Sequence, residues 1–432
     1  MDQTKPSQET GFTGNPDEPG KQLQLSAEIQ EVNSENPPDF SGLPHMVRLV
    51  LTVASRIRWG SLVVILPGNR GFRFTGPEPG VEGQIKVHDT QFASRLLNSG
   101  TIGFADSYFA REWESPDIVA LLQVVSKNSD YMADYFRSNY FVRILHRFLH
   151  ILNRNTKRGA RRNIMAHYDL GNAFYSAWLD RTMTYSSAKF DRPGQPLSEA
   201  QQNKYKSLAS RIDLRPEHHI LEIGSGWGGF AEFAAREIGC RVTGITISPE
   251  QLAFAKQRMK DKGLADRVEI RLQDYRDVGE KFDRIASIEM FEAVGMRYWK
   301  TYFRKIHDCL KPNGKAGLQI ITIDDRRFKD YRQGMDFIQK YIFPGGMLPS
   351  PSILKKHVEK ANLAWIGNAE FGQDYAATLA EWRDRFQKAW PQIQKLGFDE
   401  HFRLLWKYYL SYCEAGFRAG TIDVTQVTLQ RT

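Results

Sequence analysis

Cysteine is scarce. Cys240, Cys309 and Cys413 are the three in 432 residues, each in an apolar or helical context and none at metal-ligand spacing. This excludes a disulfide framework and a structural zinc site, and suits a reduced, cytosolic compartment. Long apolar runs are missing as well. The most apolar early stretch, Met46 to Leu66, is interrupted by Arg48, Arg56 and Arg58, so it does not read as a transmembrane span, and no secretory signal opens the chain. Acidic side chains are absent from residues 137–162, which carry Arg137, Arg143, Arg147, Arg154, Lys157, Arg158, Arg161 and Arg162. Basic ones are few in residues 1–41, where two face eight acids, so the formal charge of +9 divides into −6 there and +15 beyond. A basic body of this kind suits a polyanion, either nucleic acid or an anionic membrane surface.

What is present is organised around Ile220-Leu221-Glu222-Ile223-Gly224-Ser225-Gly226-Trp227-Gly228-Gly229-Phe230. It reads as a short buried strand, a glycine turn and a helix whose N-terminal amides point at the turn, the layout of a nucleotide-cofactor site. Gly224, Gly226 and Gly229 also satisfy the dinucleotide fingerprint, which needs an acid at the end of the second strand to hold the ribose. That strand, Arg241 to Ser248, ends in hydroxyls, while a carboxylate, Glu222, stands before the glycines. The E-x-G-x-G order points to S-adenosylmethionine (SAM) rather than NAD.

Six blocks narrow the reading: His167-Tyr168-Asp169-Leu170-Gly171-Asn172, Met183-Thr184-Tyr185-Ser186-Ser187, the glycine turn, Gly244-Ile245-Thr246-Ile247-Ser248-Pro249-Glu250-Gln251, Ser287-Ile288-Glu289-Met290-Phe291-Glu292-Ala293-Val294-Gly295 and Tyr341-Ile342-Phe343-Pro344-Gly345-Gly346. In this order they resemble the cyclopropane-fatty-acyl-phospholipid synthase and mycolic-acid methyltransferase family, over residues 160–425. The resemblance implies an α/β fold: a doubly wound, Rossmann-like SAM methyltransferase sheet with a small N-terminal α+β module.

Along the chain, residues 1–41 read as a disordered acidic tail. Residues 42–136 form a compact module with strands at 62–66, 71–75 and 83–87 and helices at 89–98 and 115–126, resembling the lipid-associated domain of the bacterial synthases. Residues 137–162 read as a basic amphipathic linker helix suited to a phospholipid surface; no nucleic-acid motif accompanies the charge. Residues 163–432 form the catalytic domain, with strands near 220, 241–247, 268–272, 283–288 and 315–323, an insertion from Asp325 to Leu348, and closing helices near 376–397 and 399–416. The expected location is cytoplasmic, peripheral at the inner membrane surface.

The resemblance implies attack of an acyl-chain double bond on the SAM methyl group, followed by proton loss that closes a ring or leaves a methyl or methylene branch. It assigns Tyr185 and Ser186 to the methionine carboxylate, Gly224 and Gly226, beside Glu222, to close backbone approach, Thr246 and Gln251 to the ribose, and Asp274 and Tyr275 to the adenine edge. Glu292, just past an apolar strand, is a costly carboxylate to bury without a task. In the resembled family its equivalent holds a bicarbonate base together with a Cys, a His, an Ile and a Tyr. Tyr375 matches the tyrosine, but Ser187 replaces the cysteine and Ile321 the histidine. That weakens the bicarbonate site and favours a branched product, on a dienoic chain among others. Ser187, Tyr375 and Glu292 are the catalytic candidates, and no metal is expected. A homodimer and a reductase or desaturase partner stay open. Two alternatives compete: C-methylation of another apolar alkene, such as a sterol or polyketide, and a catalytically silent lipid-binding protein.

Overall fold

The computed structural model describes residues 28–32, 39–136 and 170–432. Most of the acidic tail, the basic segment 137–162 and the His167-Tyr168-Asp169 triplet lie outside the described residues. Two sheets carry the fold. The N-terminal one contains β1 (Glu28–Val32), β2 (Trp59–Leu66), β3 (Arg70–Thr75), β4 (Glu78–Val87) and β5 (Trp113–Glu114), in the order β1-β3-β2-β4-β5. Gly68 and Asn69, at φ 84° and 61°, turn β2 into β3. Helices α1 (His45–Ala54), α2 (Gln91–Phe109) and α3 (Ile118–Phe136) accompany this sheet. Asp89 accepts from the Gln91 N–H at 2.9 Å, and Asp117 from Val119 and Ala120 at 3.0 Å, which sets where α2 and α3 begin. The first of these helices, expected to end at residue 98, runs on to Phe109, because the chain kinks at Gly100 (φ 56°, ψ −135°) and then resumes the helix.

The catalytic sheet follows α4 (Asn172–Trp178) and α5 (Leu197–Arg211). It contains β6 (His219–Ile223), β7 (Arg241–Thr246), β8 (Val268–Leu272), β9 (Phe282–Ile288), β10 (Leu310–Ile323), β11 (Leu363–Glu370) and β12 (Ile422–Arg431). Its order is β11-β12-β10-β9-β6-β7-β8, with β12 antiparallel to both neighbours and the other pairings parallel. Central strands of such a sheet are covered on both faces, so they are continuously apolar: Ile220, Leu221 and Ile223 are all fully buried. The intervening helices are α6 (Gly229–Phe233, continuing as a π turn), α7 (Pro249–Asp261), α8 (Trp299–Cys309), α9 (Asp325–Tyr331) and α10 (Pro351–Glu359). Ser248 caps α7, with Pro249 in its first turn.

The expected closing helices are α11 (Gly372–Gln394) and α12 (Glu400–Arg418), the latter capped by Asp399. Strands β11 and β12 were not expected. Thr425, Gln426 and Thr428 are buried in β12, and these polar residues blur the alternation that marks a strand. The small sheet and the catalytic domain share one apolar core. Phe109 packs among Phe337, Tyr341, His401 and Tyr408, and Arg327 of α9 reaches Asp130 of α3 at 2.9 Å. Among the described residues no helix is long and apolar enough to cross a membrane.

Candidate active site

The end of β6 forms one wall. Gly224 and Gly226 stand at φ 83° and 51°, and the N–H groups of Gly224 and Ser225 both donate to the Ile245 carbonyl, at 3.0 and 2.9 Å. A Cβ on Gly224 would come 2.7 Å from Cγ of Met290, while one on Gly226 would enter open space. Backbone is thus exposed to a ligand at Gly226, which L side chains would cover. Glu222 is buried, its Oε2 has no hydrogen-bond partner among the described residues, and burial pushes its carboxyl well above the usual range against the pull of Arg258 and Lys204. An unpartnered buried carboxylate oxygen beside an open glycine suits a cationic amine. Arg258 secures the loop: it pairs with Glu232 at 2.5 Å and donates to the carbonyls of Thr182 and Trp227. Trp227 in turn donates to Asn172 at 2.7 Å, fastening α4 to the glycine turn.

On β7, the Thr246 hydroxyl donates to Oε1 of Gln251 at 2.9 Å and accepts from the Ser248 N–H at 3.2 Å. This turns the amide NH2 end of Gln251 toward the cavity that both residues line. Asp274 lines the same cavity, and its two carboxylate oxygens receive Arg276 at 2.8 and 2.6 Å, which holds the turn. Tyr275 lines the cavity, with its ring edge against Tyr302 and its hydroxyl buried without a partner.

Tyr185 and Ser186 also line the cavity, but both are tied to protein groups. Tyr185 shares a 2.7 Å hydrogen bond with the hydroxyl of Tyr409 and packs on Trp382, Tyr175 and Trp178. Ser186 Oγ accepts from Nζ of Lys204 at 2.6 Å. Lys204 was not anticipated. It is fully buried, and desolvation pulls its ammonium down to about 7 despite the facing carboxylates of Glu289, Asp180 and Glu222. Its signal was the stripe on which it stands: Gln201, Tyr205, Leu208 and Ile212 are buried along the same side of α5.

Two carboxylates three residues apart follow β9. Glu289, in the left-handed region at φ 50°, accepts from the Ser187 N–H at 2.8 Å, the Gln319 amide at 2.7 Å and the Tyr375 hydroxyl at 2.6 Å. Burial still raises its carboxyl, with Lys204 opposing. Among the described residues Glu292 receives one donor, the Ile321 N–H at 2.5 Å, and its Oε2 has no partner. Burial first, and then the neighbouring Glu289, push it up to about 8. Sequence reasoning singled out Glu292 and missed Glu289, and it did not anticipate that Tyr375 bonds Glu289. Ser187 does not reach the cavity. It is fully buried, and its hydroxyl donates to the Ala188 carbonyl at 2.9 Å.

Glu222, the glycine turn, Thr246, Gln251, Tyr275, Tyr185, Ser186, Glu289 and Glu292 border one cavity of about 1260 Å³, larger than a single small-ligand site requires. From Glu222, Gly224 and Gly226 it passes Glu289, Glu292 and Ile321, then Phe343 and Tyr409. It continues into the small module between Leu62, Val64, Phe92, Phe104 and Leu121. The end at the glycine turn fits SAM, and the rest is largely apolar, with a second polar stretch at Asp130, Arg326, Arg327, Asp330 and Asp336.

A strand-glycine-helix turn, a seven-stranded sheet with one reversed strand and a cavity that runs from the turn into a largely apolar extension define a SAM-dependent methyltransferase. Residues 155–427 match the family model described as mycolic acid cyclopropane synthetase. The chain is 40% identical to tuberculostearic acid methyltransferase UfaA1 of Mycobacterium tuberculosis, over 78% of this chain and 81% of that one. It is 34% identical to the cyclopropane-fatty-acyl-phospholipid synthase of Escherichia coli, over 86% and 94%. The solved structure of cyclopropane synthase MmaA2 from M. tuberculosis superposes with a TM-score of 0.59 at 30% identity, covering 62% of this chain and 98% of that one. The structure of CmaA1 complexed with SAH and CTAB gives the same TM-score, identity and coverage. The chain belongs to the mycolic acid cyclopropane synthetase family, and it is a SAM-dependent enzyme of the cyclopropane-fatty-acyl-phospholipid synthase type.

Proposed function

We propose that this enzyme transfers a methyl group from SAM to the double bond of an unsaturated acyl chain of a membrane phospholipid and leaves a methyl or methylene branch. The observation that carries the reading is the half-satisfied carboxylate of Glu292, at the junction between the cofactor end and the apolar length of one cavity. Bound SAM supplies an electrophilic methyl on a sulfonium. Glu222 would take its ammonium, Gly224 and Gly226 its close backbone contact, Thr246 and Gln251 the ribose hydroxyls, and the Tyr275 ring the adenine. Lys204 supports the carboxylate end by holding Ser186, and Tyr185 belongs to the aromatic wall beside the reacting carbon. An isolated alkene is a weak nucleophile, so alignment and exclusion of water must provide much of the acceleration. The apolar walls around Phe343 and Tyr409 supply that exclusion, and the extension into the small module accepts the chain's far end.

A branched product is favoured over a ring by Ser187 and Ile321, which stand where the synthases carry a cysteine and a histidine. The relative UfaA1 is named a methyltransferase of tuberculostearic acid. The basic segment 137–162 supports action at an anionic membrane surface. The test is transfer of label from methyl-labelled SAM to vesicles of monounsaturated or of fully saturated phospholipid. Label in the first and none in the second is expected; equal label in both, or label only on a sterol or other alkene, contradicts the assignment.

A further inference from the structure

We propose that in this enzyme the carboxylate of Glu292 accepts the proton directly and that the site holds no bicarbonate. The inference rests on the methyl-transfer reading above.

A bicarbonate beside Glu292 needs hydrogen-bond donors, and Tyr375, Ser187 and Ile321, at the positions that would supply them, have given theirs to protein acceptors. The Tyr375 hydroxyl donates to Oε2 of Glu289 at 2.6 Å. Ser187 directs its N–H to Glu289 and its hydroxyl to the Ala188 carbonyl, behind the cavity wall. Ile321 presents a hydrocarbon side chain to the cavity and gives its N–H to Oε1 of Glu292 at 2.5 Å. With a sulfonium alongside, which favours the charged form of Glu292, an anion entering here would meet two carboxylates, and like charges a few ångströms apart in a dry pocket are strongly unfavourable. Lys204, the cation that faces Glu289, is bound to Ser186.

Glu292 itself has the attributes of the acceptor. Its Oε2 is buried, has no partner among the described residues, and belongs to a residue that lines the same cavity as Gly226 and Phe343. The titratable groups that feel it are Glu289 beside it, Tyr302 on α8 and Tyr331 on α9. No fixed cation among these holds it ionised, so its proton affinity is high, and a sulfonium brought alongside favours the charged form. In the step this serves, the alkene π pair makes the new C–C bond and the electrons of the broken C–S bond stay on sulfur. A C–H pair beside the cationic carbon then becomes the new double bond, and its proton passes to Oε2 of Glu292. Charge and electrons balance without an oxidant, a reductant or an added base.

Two measurements decide the matter. In the first, the purified enzyme methylates unsaturated phospholipid vesicles in CO2-stripped buffer with and without millimolar bicarbonate. The expected rates agree within about twofold. Glu292→Gln is expected to lose about 10²–10⁴-fold, the usual contribution of a positioned base, while still binding SAM and unrescued by bicarbonate. A tenfold or greater fall on removing bicarbonate, restored by adding it, overturns the proposal, as does a Glu292→Gln enzyme of near-normal rate. In the second, ¹³C-bicarbonate is titrated into the S-adenosylhomocysteine-bound protein and followed by NMR. No saturable binding at millimolar concentration is expected, and binding that disappears in Glu292→Gln overturns the proposal. If the wild type methylates no phospholipid, the substrate reading fails, and the titration still decides this one.

Discussion

The hydroxyl of Tyr375, in the first turn of α11, donates to Oε2 of Glu289, past the end of β9, at 2.6 Å. This bond joins the C-terminal helices to the catalytic sheet and completes a set of three donors on one carboxylate, leaving Glu292 with a single donor. Removing the hydroxyl with Tyr375→Phe strands a buried carboxylate oxygen. Loss of a hydrogen bond to a charged group costs about 1.5–3 kcal/mol, so the melting temperature should fall by several degrees. Activity should fall with it, because Glu289 then perturbs Glu292 differently. Thermal unfolding and the lipid assay on the same preparation check both effects.

Gly224 and Gly226 separate two roles of the turn. Alanine at either position meets a positive φ, a strain of about 1–2 kcal/mol, but at 224 it also collides with Met290, whereas at 226 it meets no atom of the described residues. Gly224→Ala is therefore expected to lose more stability than Gly226→Ala, while both lose SAM affinity. Calorimetric SAM titrations beside melting curves test this. Equal stability with unchanged affinity in Gly226→Ala would show that the cofactor does not approach there.

Thr246→Val removes the hydroxyl that holds the Gln251 amide. A net hydrogen-bond contribution of about 0.5–1.5 kcal/mol corresponds to a rise of up to roughly tenfold in the SAM dissociation constant, with little change in the maximal rate. Titration and saturation kinetics separate the two.

Two buried groups give opposite pH dependences. Glu292 rises from 4.5 to about 8 on folding, so between those values the folded chain holds a proton that the unfolded chain has released, and stability falls as pH rises. Glu292→Gln lacks that slope, and its melting temperature should gain on the wild type from pH about 5 to about 8. Lys204 falls from 10.5 to about 7, so between about 7 and 10.5 the unfolded chain keeps a proton that the folded chain has lost, and stability rises with pH. Any advantage of Lys204→Met over the wild type should shrink across that window.

What was legible in the sequence was local. Glu222, Gly224 and Gly226 stand within one strand-turn unit whose geometry fixes their roles, and Glu292 announces itself as a carboxylate beyond an apolar strand. Glu289 did not, because its donors Ser187, Gln319 and Tyr375 come from three distant parts of the chain. Lys204 was hidden by residue type, since an ammonium in a helix ordinarily reads as solvated. For Ser187 the residue type named a donor correctly, but a neighbouring group, the Ala188 carbonyl, had already taken its hydroxyl. The antiparallel pair β11 and β12 escaped because buried Gln and Thr side chains interrupt the apolar alternation.

The cavity that enters the small module gives a test of chain placement. Leu121→Trp fills space between β2, β4 and the catalytic end. It should shift preference toward shorter acyl chains without changing SAM affinity, which competition between phospholipids of different chain length reveals.

The central claim, one-carbon transfer that leaves a branch on an unsaturated acyl chain, is tested most directly by mass spectrometry of phospholipids from a host that expresses this chain and is fed methyl-labelled methionine. Glu292→Gln serves as the control. The expected result is a gain of one CH2 on unsaturated chains, absent in the control, in a product that either still cleaves at a carbon–carbon double bond on ozonolysis or fragments at a methyl branch. A product that is solely a saturated three-membered ring would contradict the branch, and no gain on any acyl chain would contradict the substrate.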